Sequence, residues 1–443
     1  MSNKVKAILI IVPLVILAGG IGGAYAYFTA GTDDSGPSTT SSPVASVSAP
    51  SSPSPSMSMS MSPMSGSPSP SSTTSTMATT PMIAVASGPK SDTLALVSPE
   101  GDKDVLVPGD GRIITDIAIS PGGSYIAYNR LETKKRWMPG PSTLMIYDVA
   151  GDSEMAISGG PSSSSVFPAF AAKAVGGHAW SSDSVLIAVG YVTPAKNMWT
   201  NGSFWRCDLA AKTATPLAGS SGTLEGTEPT ISEDGTRLAF VSYSDYKKET
   251  LNSKGWVTKP AKVTETLNLF DADGDALTTI STYKRTLDYE GGAFGTPTIS
   301  PDGTMIFSQS TGSDVGFGVT IWGDDGSKVY TTGGLVFPGG ADWDKSGSGM
   351  LAFAGSQSKS ATKSGIMLYD PSTDTLSSIL VSKKLWPLDV AWSPDGTSLA
   401  YTVWSKRYNY RTADLYLTDP AGASSALLLS DAGEPSFGEV AVP

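Results

Sequence analysis

The sequence predicts an all-β fold, a seven-bladed β-propeller, preceded by a transmembrane helix and a disordered linker. Three observations predict it. A pattern of about thirteen residues recurs through residues 81–443, the composition is turn-rich, and one apolar run stands near the amino end. With Gly 48, Pro 31 and only 16% charged residues, the chain does not resemble a helical protein built from Ala, Glu, Lys and Leu. One Cys excludes an intrachain disulfide and a Cys-based metal centre, and one His excludes multi-His metal sites. A net charge of −11 argues against a broad nucleic-acid-binding face.

Residues 1–30 form the first segment. Ala7–Phe28 is a mostly apolar run without a charge, long enough as a helix to cross a hydrocarbon core of roughly 30 Å. Lys4 and Lys6 precede it and Asp33 and Asp34 follow, which predicts a cytoplasmic amino end and an extracytoplasmic remainder. The other reading is a cleaved signal peptide with its processing site at Ala24-Tyr25-Ala26, which would leave the rest secreted. Residues 31–80 are a different material. Ser, Thr, Pro and Met fill 40 of these 50 positions, too little apolar surface to offset chain entropy, so a disordered stalk is expected. As a coil it spans on the order of 40 Å. Within it, Met57, Met59, Met61 and Met64 are closely spaced thioethers of the kind that suit Cu(I), which makes copper binding one alternative role.

The third segment, residues 81–443, carries the repeat. Its clearest copy is Asp389-Val-Ala-Trp-Ser-Pro-Asp-Gly-Thr-Ser-Leu-Ala-Tyr401, and good copies begin at Asp116, Glu228 and Thr296. Weaker copies begin at Gly177 and Gly340, so the position of Ser393 recurs at Ser120, Ser181, Ser232, Ser300 and Asp344. Each copy reads as a strand, a tight turn at Pro-Asp-Gly and a second strand. A third strand such as Asp414–Thr418 and a short fourth such as Ala426–Ser430 follow. Four antiparallel strands at a period of 44–68 residues describe a propeller blade.

Six internal blades leave two ends to reconcile. Residues 82–107 supply three strands without a leading one, and Glu439-Val-Ala-Val-Pro443 matches Asp389-Val-Ala-Trp392 and then stops. The last strand is therefore expected to complete the first blade, giving seven rather than six or eight and removing an exposed edge. The Trp-Ser-Pro-Asp-Gly…Leu-Ala-Tyr core at Trp392–Tyr401 resembles the TolB-like propellers, and the resemblance covers residues 81–443. It implies a structural rather than catalytic role for the repeat. The propellers of the prolyl oligopeptidase family are similar but precede a hydrolase domain. Here no Gly-x-Ser-x-Gly nucleophile elbow occurs.

The long insertions all fall on one face: Arg130–Ser142, Tyr191–Gly202, Ser242–Glu265 and Trp404–Thr412, with connections Gly159–Gly176 and Thr282–Gly295. Loops that vary on a rigid scaffold are where binding residues concentrate. The candidate ligand-binding residues there are Arg136, Trp137, Trp199, Tyr243, Tyr246, Trp256, Arg407, Tyr408, Tyr410 and Arg411, types enriched in binding hot spots. No catalytic, metal-binding or cofactor-binding residues are assigned. Asp271-Ala-Asp-Gly-Asp275 lacks the Glu a calcium loop needs, Cys207 reads as a buried apolar residue, and His178 reads as structural or channel-lining. The functional expectation is a membrane-anchored, extracytoplasmic, non-catalytic binding or scaffold module for a protein, peptide or cell-envelope glycan. The enzymatic alternative, a glycan lyase or hydrolase at the channel mouth, requires clustered carboxylates there.

Overall fold

The computed structural model describes residues 79–131, 142–157, 167, 170, 172, 174–191, 200–219, 222–253, 257–273, 275–287, 293–312, 316–333, 339–356, 364–382, 387–404 and 413–441. The predicted membrane segment, residues 31–78 of the predicted stalk and its Met57–Met64 run lie outside them, whereas Thr79 and Thr80, placed in the stalk from sequence, are strand. Among the described residues no helix is long and apolar enough to cross a membrane.

The repeat folds through its turn. Ser232 Oγ donates to Asp234 Oδ1 at 2.6 Å and accepts the Arg237 N–H at 2.9 Å, while Thr236 donates to the same carboxylate. Ser300 and Ser393 repeat this arrangement with Asp302 and Asp395. Gly235, Gly303 and Gly396 have φ of 73°, 73° and 70°, the left-handed region that glycine enters without a Cβ penalty. The Ser-x-Asp-Gly-Thr pattern is thus one hydrogen-bonded unit, and it reverses the chain between two strands.

One copy lacks its own Asp, and a neighbour supplies it. In Ser120-Pro-Gly-Gly-Ser124, Gly122 stands where four other copies have Asp183, Asp234, Asp302 and Asp395. Asp183, from the corresponding turn of the next copy, accepts from Ser120 Oγ at 2.5 Å, Ser124 Oγ at 2.6 Å and the Gly122 N–H at 3.1 Å. A Cβ on Gly122 would meet the Asp183 carboxylate at 2.7 Å, so the two solutions exclude each other. Asp183→Ala is therefore expected to cost about 2 kcal/mol, as the Ser120–Ser124 turn loses a charged acceptor of several hydrogen bonds at once. Adding Gly122→Asp should recover part of that loss. Urea denaturation checks both, and a double variant no more stable than Asp183→Ala contradicts the substitution of one carboxylate for the other.

Among the described residues the chain is all-β, and its longer strands form seven four-stranded antiparallel sets. Five sets are led by Ile114–Ile119, Ala174–Ser182, Glu225–Ile231, Thr298–Ile299 and Ala341–Trp343. A sixth, led by Pro387–Trp392, continues through Leu399–Trp404 and Ala413–Thr418 into the long strand Ser425–Ala441. That long strand serves twice. Its first part pairs with Ala413–Thr418, and its second part pairs with Thr79–Ser87, which continues into Thr93–Val97 and Lys103–Val107. No single sheet closes on itself. The cycle lies in the order of the leading strands, each packed beside the next until Pro387–Trp392 meets Ser425–Ala441, which meets Ile114–Ile119. This is a propeller-like architecture.

Side chains stitch neighbouring leading strands at a fixed repeat position. Thr230 Oγ1 accepts the Ile299 N–H at 3.3 Å, and Asp342 Oδ2 accepts the Trp392 N–H at 2.8 Å. Ser436 Oγ accepts the Ile119 N–H at 3.1 Å. The same position is occupied by Thr230, Asp342 and Ser436, which corrects the register of the closing copy. It begins at Glu434-Pro-Ser-Phe437, the counterpart of Glu228-Pro-Thr-Ile231, and not at Glu439. The strand partners agree, since Phe437 faces Ile83 as Ile231 faces Leu238. The expected completion of the first set by the last strand holds, with Glu439 and Val440 extending it opposite Pro81 and Thr80.

The core lies between adjacent sets. Trp180, Trp343 and Trp392, at one repeat position, are buried in separate inter-sheet clusters. Trp180 Nε1 donates to the Ala118 carbonyl at 3.0 Å and Trp343 Nε1 to the Thr298 carbonyl at 3.1 Å, one set back in each case. Two segments expected as loops contain strand among the described residues. Arg237–Lys247 and Ala261–Asp271 pair well into Ser242–Glu265, with a short hairpin beyond, and Ala276–Leu287 runs into the predicted Thr282–Gly295 connection. The alternation in Lys262-Val-Thr-Glu-Thr-Leu267, rich in β-branched residues, is the reason.

Candidate functional site

The seven leading strands surround a cavity of about 220 Å³, and each contributes to its lining. The first residue of each repeat copy points the way to it: Asp116, Gly177, Glu228, Thr296, Gly340 and Asp389 all line the cavity, and Pro435 comes from the closing copy. Four leading strands are bulged at this level, with register shifts between Thr115 and Ala118, Val175 and His178, Thr227 and Thr230, and Pro387 and Val390. A bulge re-aims side chains away from strict alternation and is frequent beside functional sites. Asp116 and Glu228 carry φ of 53° and 51°, left-handed values that cost a residue with a Cβ roughly 1–2 kcal/mol. Such strain held at a cavity wall motivates a functional reading.

The glycines in this ring make room. A Cβ on Gly340 would stand 2.1 Å from Asp389 Oδ1, and one on Gly177 would stand 3.0 Å from Pro229 Cδ. Between Asp116 and Glu228 the intervening copy therefore presents no side chain at its first position. Asp116 is buried with Oδ2 accepting Asn129 Nδ2 at 2.6 Å, and Asn129 is held in turn by the Gly176 carbonyl. Glu228 Oε2 accepts the Thr296 hydroxyl at 3.3 Å.

Burial, and next the nearby charge of Glu228, raise the Asp116 carboxyl to about 7. Burial raises Asp389 likewise to about 7, against a donated Gly340 N–H. Burial also pushes His178 down to about 4, so it is neutral at physiological pH. The raised carboxyls make a stability prediction. Between about pH 4 and 7 the folded state holds protons on these groups that the unfolded chain has released, so their ionisation destabilises the fold as pH rises. His178 acts in the opposite sense below about pH 6.5. Comparing wild type with Asp389→Asn at each pH cancels the histidine. The variant should gain on wild type by about 2–4 kcal/mol between pH 4 and 8. A gap in unfolding free energy that does not move with pH would refute the burial argument.

Of the ten residues predicted from sequence, Tyr243 and Tyr246 lie among the described residues, while Arg136, Trp137, Trp199, Trp256, Arg407, Tyr408, Tyr410 and Arg411 lie outside them. Tyr243 and Tyr246 both sit on the extended Arg237–Lys247 strand. Tyr243 packs against a core cluster, and burial followed by the charges of Glu265 and Glu228 raises its hydroxyl. The backbone of Tyr243 is bonded at both ends by Asn201, at 2.8 and 2.9 Å. That commits the amide of the Asn201-Gly-Ser203 sequon to the fold. Cys207 is buried and its thiol is pushed up to about 12, as expected of a packing residue. Asp271 accepts the Asp273 N–H within its turn.

Sequence reading missed Asp116, Glu228 and Asp389. The signal was present in the aligned copies. The fifth repeat position stays Ser or Asp throughout, whereas the first runs through Asp, Gly, Glu, Thr, Gly and Asp.

No family model matches the chain, and no curated protein matches it significantly. Solved structures of similar shape do exist. TolB from Acinetobacter baumannii aligns at 14% identity and a TM-score of 0.44, over 81% of this chain and 66% of its own, just under two thirds. An oligogalacturonate lyase in complex with manganese aligns at 15% and 0.47, over 79% of this chain and 85% of its own. Oligogalacturonate lyase from Vibrio parahaemolyticus aligns at 13% and 0.48 with the same coverage. At these identities and scores the likenesses are of shape alone and carry no ligand or activity across.

Proposed function

We propose that the chain is a seven-bladed propeller, presented outside the cytoplasm on an amino-terminal membrane anchor and stalk, and that it works as a non-catalytic binding module. Its partner is a protein, peptide or cell-envelope glycan, and it meets the face onto which the leading strands begin. One observation carries the reading. The repeat keeps constant the residues that build its turns and inter-sheet contacts, and varies the residues that line the shared cavity. Variation on a fixed scaffold is how binding sites arise in repeat folds. The end of Tyr125–Leu131 and the start of Ser142–Asp148, which bracket residues 132–141, lie at the same end of their sheet as Asp116. The strand ends that bracket residues 132–141 therefore lie on the cavity's side of that sheet.

The test is capture of partners from native membranes by the full chain, by a variant with Arg407–Arg411 replaced by Gly and Ser, and by Asp116→Asn/Glu228→Gln. Loss of the same partner in either variant supports a binding face. Equal capture by all three sinks it.

A second reading, an enzyme acting on glycans, is favoured by one specific feature. Asp116 is a buried carboxyl whose proton is held to near neutral pH beside a second carboxylate, the arrangement used for general acid–base work. Turnover of an envelope polysaccharide that vanishes in Asp116→Asn would establish it.

A further inference from the structure

We infer that the cavity takes a single organic cation, an alkylammonium or guanidinium group on a short apolar stem. This rests on reading the face that carries the cavity as the binding face, and it names what that face recognises.

The decisive atom is Asp116 Oδ1. Asp116 lines the cavity and exposes only 9% of its surface, its Oδ2 is taken by Asn129, and its buried Oδ1 has no hydrogen-bond partner. A buried carboxylate oxygen without a donor costs free energy that a bound N–H would return. The rest of the lining points to the same chemistry. Acceptors come from Glu228 and Asp389, and among the described residues no Lys or Arg lines the cavity. Arg130, Arg237 and Arg285 are engaged elsewhere, by Glu154, Asp324 and Glu265. Ile117, Ala118, Pro229, Val390 and Pro435 supply apolar wall for a methylene stem.

Size and geometry narrow the class. About 220 Å³ is below the roughly 300–1,000 Å³ of sites that enclose drug-sized ligands, and it suits one side chain or small amine. Among the described residues no three His, Cys, Asp or Glu side chains converge as a metal site requires, so an organic cation fits better than a metal ion.

The titratable groups facing the cavity are Asp116, His178, Glu228 and Asp389 on four of the leading strands; the others bring Thr296 and Thr298, Gly340 and Ala341, and Pro435. With His178 neutral, the cation competes only with protons on the carboxyls. Affinity should therefore rise with pH, and binding should release protons.

Calorimetric titration of the detergent-solubilised full chain with n-butylammonium tests this, with n-butanol and glucose as neutral probes and calcium as a metal probe. Butylammonium should bind with affinity rising about tenfold or more between pH 5 and 8, with proton release seen as a dependence on buffer ionisation heat. Asp116→Asn should weaken it about tenfold or more while the cooperative melt is retained. Asp116→Glu, which keeps the charge, is the second variant should the first fold poorly, and it should bind butylammonium better than Asp116→Asn. Overturning results are equal binding of n-butanol, preference for glucose or calcium, or no butylammonium heat up to about 50 mM, far above the millimolar affinity expected of one charged contact. If the amine fails while membrane capture still depends on Asp116 and Glu228, the face binds something other than a cation. If both fail, the face is not a site.

Discussion

Deleting residues 434–443 is expected to abolish cooperative folding of the β-sheet region, whereas deleting only 438–443 should leave it folded and weakened. The difference follows from the corrected register. Residues 435–437 face Val85, Ala84 and Ile83, whose side chains are fully buried, and Ser436 supplies the hydrogen bond to the leading strand of the next set. Residues 439–441 lie opposite Thr79–Pro81, at the outer end of the ladder. The longer deletion strips a whole strand from one set and the edge contact from another. Several backbone hydrogen bonds at about 0.5–1.5 kcal/mol each and one or two buried apolar side chains at about 1.5–3 kcal/mol each are lost. The sum is comparable with the roughly 5–15 kcal/mol that holds a typical domain folded. The shorter deletion removes Val440, 1% exposed, and the outer pairs, for about 2–4 kcal/mol. Calorimetric melts of both truncations decide the matter. Indistinguishable melts would mean that the seam does not begin at Glu434.

Replacing Arg285 by Met should cost about 3–5 kcal/mol, the largest effect expected of any single substitution described above. Arg285 and Glu265 project from the same face of paired strands, diagonal to one another, and are 0% and 1% exposed. Arg285 Nη1 donates to Glu265 Oε1 at 3.0 Å, and Glu265 Oε2 accepts the Ala293 N–H at 2.6 Å. Removing the guanidinium takes the charged partner away from a buried carboxylate, and the loss is mostly that desolvated charge rather than the bond itself. Adding Glu265→Gln keeps an acceptor for Ala293 and removes the charge, so the double variant should recover about half the loss. Lys at 285 should fall between, since it keeps the charge without the planar fork. Denaturant midpoints across the four proteins check the order. A double variant less stable than Arg285→Met would contradict the desolvated-charge account.

What was legible in the sequence was whatever the repeat states many times. Ser232, Ser300 and Ser393 recur because each must cap the same turn, and Trp180, Trp343 and Trp392 recur because each must fill the same gap between sheets. Features stated once were not legible. Asp183 serves a turn 59–63 residues away, and nothing in its own copy announces that. Glu265 and Arg285 look like solvated charges on an insertion until strand pairing turns both inward. The cavity residues failed differently. Asp116, Glu228 and Asp389 stood in the quoted copies, but their variability made them look like noise around a motif. The closing register slipped by five residues because Glu439-Val-Ala-Val imitates Asp389-Val-Ala-Trp, while the truer match, Glu434-Pro-Ser-Phe, ends in Gly438 where the others have Ser or Asp.

The adjacency of Thr79 and Ala441 has a consequence for how the chain can be rewired. The two are strand partners, and Thr79 Oγ1 donates to Glu439 Oε2 at 2.7 Å. Where the polypeptide starts around this cycle is an accident of order, not a requirement of packing. A short linker joining the two ends would let the gene be reopened at another inter-sheet connection, such as 383–386, giving a circular permutant with the same neighbours. By the same geometry, a reporter fused after residue 441 would emerge beside the entry strand Thr79–Ser87.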